Sequence, residues 1–314
     1  MPKVTIVGAG NVGGAAAERL TRSPCVDELV LIDAVPGLAE GIALDIAQCA
    51  PIDGSATRVV GSTEYGRTEN SDVVVVTAGR ARQPGQSRLD LLATNAEIVS
   101  DVAARVAARS PYSVLIVVTN PLDEMTYLAW RVSGFPTGRV MGMAGVLDSS
   151  RFRTFLAWEL GVLPAEVEAI TLGSHGDTMV SASSLARVRG TPISELLPRQ
   201  AIERIERRTR DGGAEIVSLL ERGSAFHAPG ASIATMVEAI VDDRRETHPT
   251  CAWLTGEYGI DGVFLGVPAV LGRRGVERIE ELALADDELT ALRGAATTVA
   301  SRCQELDRIF TARG

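Results

Sequence analysis

The stretch VTIVGAGNVG, residues 4–13, decides the fold. Its first four residues are β-branched, which predicts a strand, and the rest follows the pattern GxGxxG before a predicted helix. In that pattern Gly8 permits a tight turn, Gly10 lets the backbone approach a diphosphate, and Gly13 lets helix and strand pack closely. A diphosphate would then bind the amide groups at the helix N-terminus. The predicted nucleotide-binding residues here are Gly8, Ala9, Gly10, Asn11, Val12 and Gly13.

A carboxylate narrows the choice of nucleotide. Asp33 follows the second predicted strand and lies 20 residues beyond Gly13 (33 − 13). A carboxylate at this place accepts hydrogen bonds from both ribose hydroxyls and repels a 2′-phosphate, which favours NAD over NADP. The alternative is a glycine-rich turn followed by an ordinary surface aspartate, and the placement of Asp33 argues against it.

The first half of the chain alternates strands with helices. Strands are predicted over Lys3–Val7, Glu28–Ile32, Thr57–Val60, Asp72–Thr77 and Ser113–Val118, and helices over Gly13–Thr21, Leu38–Cys49 and Leu91–Ala108. Several of these strands are apolar on both faces, which is typical of a parallel sheet covered by helices on each side. Residues 1–145 are therefore predicted to form a doubly wound α/β domain of the Rossmann type.

The second half lacks that regular alternation. Helices are predicted over Ser149–Leu160, Ile202–Leu220, Ala231–Val241 and Asp286–Ile309, a strand pair over Val167–Leu172 and Met179–Val188, and a glycine-rich strand region over Ala252–Gly272. Residues 146–314 are therefore predicted to form an α+β domain that packs on the first. An active site is expected between the two domains.

Composition excludes several classes of function. The 314 residues suggest about two domains, and 31 basic against 40 acidic residues give a net charge of −9, which argues against nucleic-acid and anionic-membrane surfaces. There is neither an apolar run of membrane-spanning length nor a signal peptide, so a cytoplasmic location is expected. Lys3 is the only lysine, which argues against Schiff-base and phosphate-loop lysines. The four scattered cysteines predict reduced thiols and no metal site.

Histidine is scarce, so the candidates for proton transfer are few. His175 follows an apolar strand between glycines, which leave its imidazole open, whereas His227 and His248 precede turns. A structural role for His175 is the alternative. Asp148 and Arg151 are three residues apart on one helix face. The alternatives are a helix N-cap for Asp148 and an ordinary surface position for Arg151.

A loop with several arginines follows the fourth predicted strand. Residues 79–90 contain Arg80, Arg82 and Arg88 among glycine and proline, which predicts a loop able to close over an anion. A solvated basic loop is the alternative. The end of the fifth strand, Val118–Asn120, lies at the ligand edge of such a sheet, although Asn120 is equally suited to a turn. Asn95, within the long helix, is alternatively a solvated polar residue.

Taken in order, these motifs resemble those of the lactate/malate dehydrogenase superfamily over nearly the whole chain, and specifically the lactate-dehydrogenase-like malate dehydrogenases. The resemblance rests on Gly8–Gly13, Asp33, Thr77–Gly79, Arg82 with Arg88, Asn120–Asp123, Gly145–Arg153 and Gly176–Val180 together with His175. It implies reversible, NAD-dependent oxidation of (S)-malate to oxaloacetate by a homodimer or homotetramer. Subunits would then pack through helices such as Leu38–Cys49.

The resemblance also implies roles for individual residues. His175 would be the general base and Asp148 its partner. Arg151 would hold the C1 carboxylate, Arg88 would polarise the reacting oxygen, and Asn120 would reach both that oxygen and the cofactor. Further cofactor contacts would come from Asn95, Val118 and Thr119, and a small polar residue near the nicotinamide from Ser232.

The substrate that the resemblance implies depends on Arg82. In this family the third residue after the Ala-Gly pair reads the far end of the substrate, where glutamine suits lactate and arginine suits the second carboxylate of malate. Arg82 holds that position, and Arg80 is the alternative. Gln83, Gln86 and Ser174 depart from the usual family residues. A lactate or broader 2-hydroxyacid dehydrogenase remains the nearest alternative, and a nucleotide-binding protein without catalysis is a remote one.

Overall fold

The structure is a computed structural model that describes residues 1–80 and 88–311. In this part of the chain, six parallel strands form the first half of the main sheet. They are β1 (Lys3–Val7), β2 (Glu28–Ile32), β3 (Arg58–Ser62), β4 (Val73–Val76), β5 (Val114–Val117) and β6 (Val140–Gly142). The helices among them are α1 (Asn11–Leu20), α2 (Leu38–Asp53), α3 (Arg88–Arg109) and α4 (Leu122–Ser133). Every residue of β4 and β5 is buried, because helices cover both faces.

The strand order β3-β2-β1-β4-β5-β6 confirms the predicted doubly wound α/β fold. The chain passes from one side of β1 to the other between β3 and β4. This reversal leaves a crevice at the carboxyl ends of β1 and β4, where ligands of such sheets bind. The predicted glycine motif follows β1 and therefore lies at that crevice.

Two elements of the first half escaped prediction. Helix α4 begins directly after Pro121, where turn-forming residues hid its apolar pattern, and β6 has only three residues. Helix α2 runs on to Asp53, four residues past the predicted Cys49, and ends where Gly54 adopts the left-handed conformation (φ 71°).

The second half extends the same sheet with antiparallel strands. Its strands are β7 (Val167–Glu168), β8 (Thr171–Gly173), β9 (Met179–Ser181), β10 (Arg187–Val188), β11 (Thr191–Pro192), β12 (Glu246–Thr255), β13 (Asp261–Gly272) and β14 (Gly275–Ile279). Its helices are α5 (Gly145–Leu160), α6 (Ile193–Leu196), α7 (Arg199–Leu220), α8 (His227–Val241) and α9 (Asp286–Thr311). Strand β12 pairs with β6 at Cys251 and Gly142, which joins the halves. The predicted domain division at residue 145 stays a prediction.

The predicted strand pair of the second half is broken into two pieces. β8 and β9 form the expected antiparallel pair, with Thr171 opposite Ser181, whereas β7 and β10 belong with β11 to a separate small sheet. The two predicted long strands are therefore wrong as continuous elements. A 3₁₀ turn over Ser183–Leu185 separates β9 from β10 and redirects the chain between the sheets.

Helix α8 packs against α1 and so holds the second half beside the glycine motif. The approach is close: a Cβ atom added to Gly230 would lie 2.9 Å from backbone atoms of Ala15 and Ala16. Among the described helices, none has the length and apolarity needed to cross a membrane.

Replacing Gly230 with alanine is expected to destabilise the protein by about 1–3 kcal/mol, because backbone atoms of α1 block the new methyl group. Gly294→Ala in α9 is the matched control. Its added Cβ would meet no atom within 4 Å, so it should raise stability by roughly 0.5–1 kcal/mol. Urea unfolding measures both changes, and equal effects of the two substitutions would contradict this packing.

Candidate active site

The glycine motif has the close contacts that a diphosphate-binding turn needs. Gly8 has a φ of +109°, and a Cβ added to Gly13 would lie 1.9 Å from the carbonyl oxygen of Gly8. At Gly10 an added Cβ would meet no protein atom within 4 Å, so this residue faces open space. Gly10 is also the N-cap of α1, and because it has no side chain, the first helical amides have no side-chain acceptor from the N-cap. These features fit the diphosphate of a dinucleotide.

Asp33 is fixed beside that turn. Its Oδ2 accepts a hydrogen bond from the amide of Ala9 at 2.8 Å, and its Oδ1 accepts one from the amide of Val35 at 3.0 Å. A carboxylate has about four acceptor sites, so lone pairs remain for ribose hydroxyls. This geometry is compatible with NAD.

Asn95 ties two loops at the crevice together. Its side chain is 1% exposed, so the solvated alternative is wrong. Its Oδ1 accepts from the Arg80 amide at 2.7 Å, and its Nδ2 donates to the carbonyl oxygens of Arg80 and Asn120 at 3.1 and 2.7 Å. Because its amide group is occupied by these backbone partners, Asn95 positions the strand end that carries Asn120. A direct contact of Asn95 with the cofactor stays a prediction.

His175, after the end of β8, and Asp148, near the start of α5, form a hydrogen-bonded pair. His175 follows β8, and its Nδ1 lies 2.8 Å from Oδ2 of Asp148 in the first turn of α5. Ala144 is the N-cap of α5, so the capping alternative for Asp148 is wrong. With Nδ1 bonded, Nε2 is the ring nitrogen left to exchange a proton.

The surroundings of His175 favour its protonated form. Burial alone lowers the pKa of His175, but the charge of Asp148, its hydrogen bond and the charge of Asp123 outweigh burial. The net result is a pKa above the ordinary histidine value. The pair with Asp148 therefore favours the imidazolium more than water does for a free histidine side chain.

Arg151 lies mostly shielded from solvent beside the same carboxylate. Its guanidinium donates to Oδ1 of Asp148 at 3.0 Å, and its side chain is only 13% exposed. The surface alternative for Arg151 is therefore wrong. A Cβ added to Gly212 of α7 would lie 3.1 Å from Cδ of Arg151, so this glycine makes room for the arginine. The remaining guanidinium nitrogens can bind a carboxylate.

Asp123 is a buried carboxylate whose contact with His175 the sequence did not reveal. Its Oδ2 accepts from the main-chain amide of His175 at 3.1 Å, and its Oδ1 accepts from the Cys251 thiol at 3.4 Å. Burial, followed by the charge of Glu124, raises the pKa of Asp123 to about 6. The only signal in the sequence was an acidic residue shortly after Asn120-Pro121. Because helix α4 was not predicted, the direction of the Asp123 side chain could not be inferred.

A cavity of about 300 Å³ brings the candidate residues together between the halves. Its lining includes Val12, Val118, Asn120, Arg151, His175 and Arg210. The first three come from the glycine motif and the end of β5, and the others come from the second half. The described residues contain no cluster of His, Cys, Asp or Glu able to hold a metal ion.

Several candidates are not among the residues brought together. Arg82, Gln83 and Gln86 lie outside the described residues, and so does the side chain of Arg88, whose backbone begins α3. Arg80 is exposed.

Ser232 does not line the described cavity. It is 4% exposed, and its hydroxyl donates to the carbonyl oxygen of Ala228. From the same segment of the chain Ser224, Ala225 and Pro229 line the cavity instead.

Comparison with known proteins identifies the family. Residues 2–142 match the lactate/malate dehydrogenase NAD binding domain, and residues 145–307 match the alpha/beta C-terminal domain of the same family. The chain belongs to the lactate/malate dehydrogenase family. A malate dehydrogenase from Chloroherpeton thalassium is 49% identical over 98% of this chain and 99% of its own length.

Solved structures of the family superpose closely on this chain. The malate dehydrogenase from Salinibacter ruber has a TM-score of 0.94 and 46% identity, covering 99% of this chain and 100% of that one. A lactate dehydrogenase from Cryptosporidium parvum, complexed with lactic acid and nicotinamide adenine dinucleotide, has a TM-score of 0.94 and 38% identity, covering 98% of both chains. NAD is the cofactor of the family, and the open space at Gly10 fits it.

In this family member, Gly10→Ala is expected to weaken NADH binding at least about tenfold while leaving stability unchanged. The new methyl group would occupy the space that the diphosphate needs, and Gly10 has an ordinary φ of −71°. Gly13→Ala is the contrasting variant, because its methyl group would meet the backbone at 1.9 Å and destabilise the fold. Fluorescence titration with NADH and thermal unfolding separate the two effects. Unchanged NADH affinity in Gly10→Ala would refute the diphosphate site.

Asp148→Asn is expected to lower the pKa of His175 below the ordinary histidine value. The substitution removes the charge that offsets burial, so desolvation then dominates. With three histidines in the chain, NMR titration of the ring resonances can follow each one. His248 serves as the internal control, because burial already lowers its pKa and its charged neighbours are Glu246 and Arg244. A His175 pKa that stays unchanged in the variant would be inconsistent with the pair.

Proposed function

We propose that the protein is an NAD-dependent malate dehydrogenase that interconverts (S)-malate and oxaloacetate. The observation that carries the proposal is the 2.8 Å contact of His175 with Asp148, at a cavity that also adjoins the glycine motif. Sequence identity of 49% to a malate dehydrogenase over nearly the full length supports the same reaction.

In the oxidative direction, His175 removes a proton from the substrate. Nε2 of His175 accepts the proton of the C2 hydroxyl, and Asp148 stabilises the imidazolium that forms. Bound NAD⁺ would supply the acceptor for the hydride from C2. The proton thus ends on His175, which releases it to solvent after the product has left. In the reductive direction the same imidazolium donates its proton to the C2 oxygen.

Other residues orient the substrate during this exchange. Arg151 binds the C1 carboxylate: Asp148 fixes one of its nitrogens, and the residue lines the cavity. Asn120 donates to the C2 oxygen, and Arg88 stabilises the charge that develops there. Arg82 pairs with the distal carboxylate of the four-carbon diacid.

The cofactor is held at the crevice between β1 and β4. The amides of the glycine motif bind its diphosphate and Asp33 binds its ribose hydroxyls. The proposed cofactor contacts are Gly8, Ala9, Gly10, Asn11, Val12, Gly13, Asp33, Asn95, Val118, Thr119 and Asn120.

We further propose that the protein acts in the cytoplasm as a homodimer or homotetramer. Helix α2 supports the assembly, because Leu44 and Ile52 on it are 63% and 85% exposed. Large apolar side chains grouped on one element favour contact with another subunit. The division into a cofactor domain over 1–145 and a substrate domain over 146–314 belongs to the same proposal.

A lactate or broader 2-hydroxyacid dehydrogenase is the second candidate. The close superposition of the Cryptosporidium parvum lactate dehydrogenase favours it, because the same backbone serves a monocarboxylate in that protein. The two candidates differ only in what faces the distal end of the substrate.

Steady-state rates with NADH should favour oxaloacetate over pyruvate by at least about 10³-fold in kcat/KM, because a cation at the distal end of the substrate recognises the second carboxylate, which only oxaloacetate has. NADPH should be a poor substitute, since Asp33 repels a 2′-phosphate.

The same assay includes His175→Asn, in which kcat should fall by about 10²- to 10⁴-fold with the fold intact. His248→Asn, outside the described cavity lining, is the control and should keep its rate. Higher kcat/KM with pyruvate would favour the second candidate, and full activity of His175→Asn would refute the mechanism.

A further inference from the structure

A second arginine lines the active-site cavity, and none of the sequence motifs accounts for it. Arg210 lies in the cavity wall with Arg151 and His175. No aspartate or glutamate is found in the described lining, although acidic residues outnumber basic ones by 40 to 31 in the chain. The described lining thus carries arginines and no acidic side chain, in a protein that is negative overall, which suits an anion.

The two arginines differ in how their charge is balanced. Arg151 is 3.0 Å from the carboxylate of Asp148, so a partner inside the protein already offsets its charge. Arg210 is exposed and lines the cavity, and no ion pair or hydrogen bond joins it to the side chains that the structure describes. Glu206, one turn earlier, feels the charge of Arg210, but its carboxylate is hydrogen-bonded to Ser183. Arg210 thus keeps a charge that a ligand can neutralise.

Arg210 is held on a rigid support. Together with Gly213 and Val217 it lines the cavity from α7, at positions i, i+3 and i+7 of one helix face. The neighbouring Gly212 is buried against Arg151 of α5, which fixes α7 relative to the arginine for the C1 carboxylate. A guanidinium carried by a helix that is fixed relative to the first carboxylate site can therefore bind the far end of a substrate.

We propose that Arg210 is a specificity-determining residue that binds the distal carboxylate of the substrate. This inference rests on the proposed function, because only a diacid has that second carboxylate. Arg151 then serves the C1 carboxylate and Arg210 the other end. A monocarboxylate substrate would leave Arg210 unmatched, so the residue discriminates against it.

The test compares Arg210→Gln with Arg207→Gln. Arg207 is exposed on the same helix but is not part of the described cavity lining, so it controls for loss of a surface charge. In Arg210→Gln, kcat/KM for oxaloacetate should fall about tenfold or more, chiefly through a higher KM, while kcat/KM for pyruvate stays within about twofold. Arg210→Lys should recover part of the loss, since it keeps the charge without the planar fork.

Measuring kcat/KM at high salt distinguishes direct binding of the carboxylate by Arg210 from long-range electrostatic attraction. At about 1 M salt the Debye length is only about 3 Å, so a contact role predicts that the loss in Arg210→Gln persists. A loss that vanishes at high salt would mean steering alone and would overturn the proposal. Equal losses for both substrates, or the same loss in Arg207→Gln, would overturn it as well.

The preference of the unmodified protein for oxaloacetate or pyruvate is measured separately from the effect of the Arg210 substitution. If the unmodified protein prefers oxaloacetate and Arg210→Gln keeps that preference undiminished, only the role of Arg210 fails. If the unmodified protein prefers pyruvate, the proposed function fails and the role of Arg210 falls with it.

Discussion

The site depends on one hydrogen bond, the 2.8 Å contact between the imidazole of His175 and the carboxylate of Asp148. Asp148 is 2% exposed, and a carboxylate buried to that extent needs charged partners. It has two, because Arg151 occupies its second oxygen. The pair in turn requires that the turn after β8 meet the first turn of α5, and Asp123 holds that turn through the main-chain amide of His175. The architecture of the second half is thus arranged around one buried acid.

The sequence predicted the nucleotide end of the site better than the substrate end. The glycine motif is determined by local sterics. Gly13 is required because the backbone of Gly8 occupies the space that a side chain at position 13 would need, and both residues lie within one turn. Residues alone could not pair His175 with Asp148, since the two are 27 positions apart, and only the family resemblance suggested it. Asn95 was ambiguous for a similar reason, because its hydrogen-bond partners are backbone groups of distant loops.

Errors in the predicted elements have physical causes of the same kind. The strands predicted over 167–172 and 179–188 are apolar enough to be continuous, but their ends pair in different sheets. Which sheet a short strand joins is decided by distant partners, which a local pattern does not contain. Helix α4 was missed because Pro121 at its N-cap is equally typical of a turn. The loss of α4 also hid the direction of Asp123.

Helix α7 shows how the substrate end is built at a cost to local stability. Gly212 and Gly213 lie side by side within a helix of 22 residues, where each glycine costs roughly 0.5–1 kcal/mol relative to alanine. The cost has a structural reason, because Gly212 leaves room for the stem of Arg151 and Gly213 lies in the cavity wall. Larger side chains there would push α7 away from α5. Because both residues are glycines, α7 can pack against the side chain of Arg151 from α5, and Arg210 of the same helix lines the same cavity.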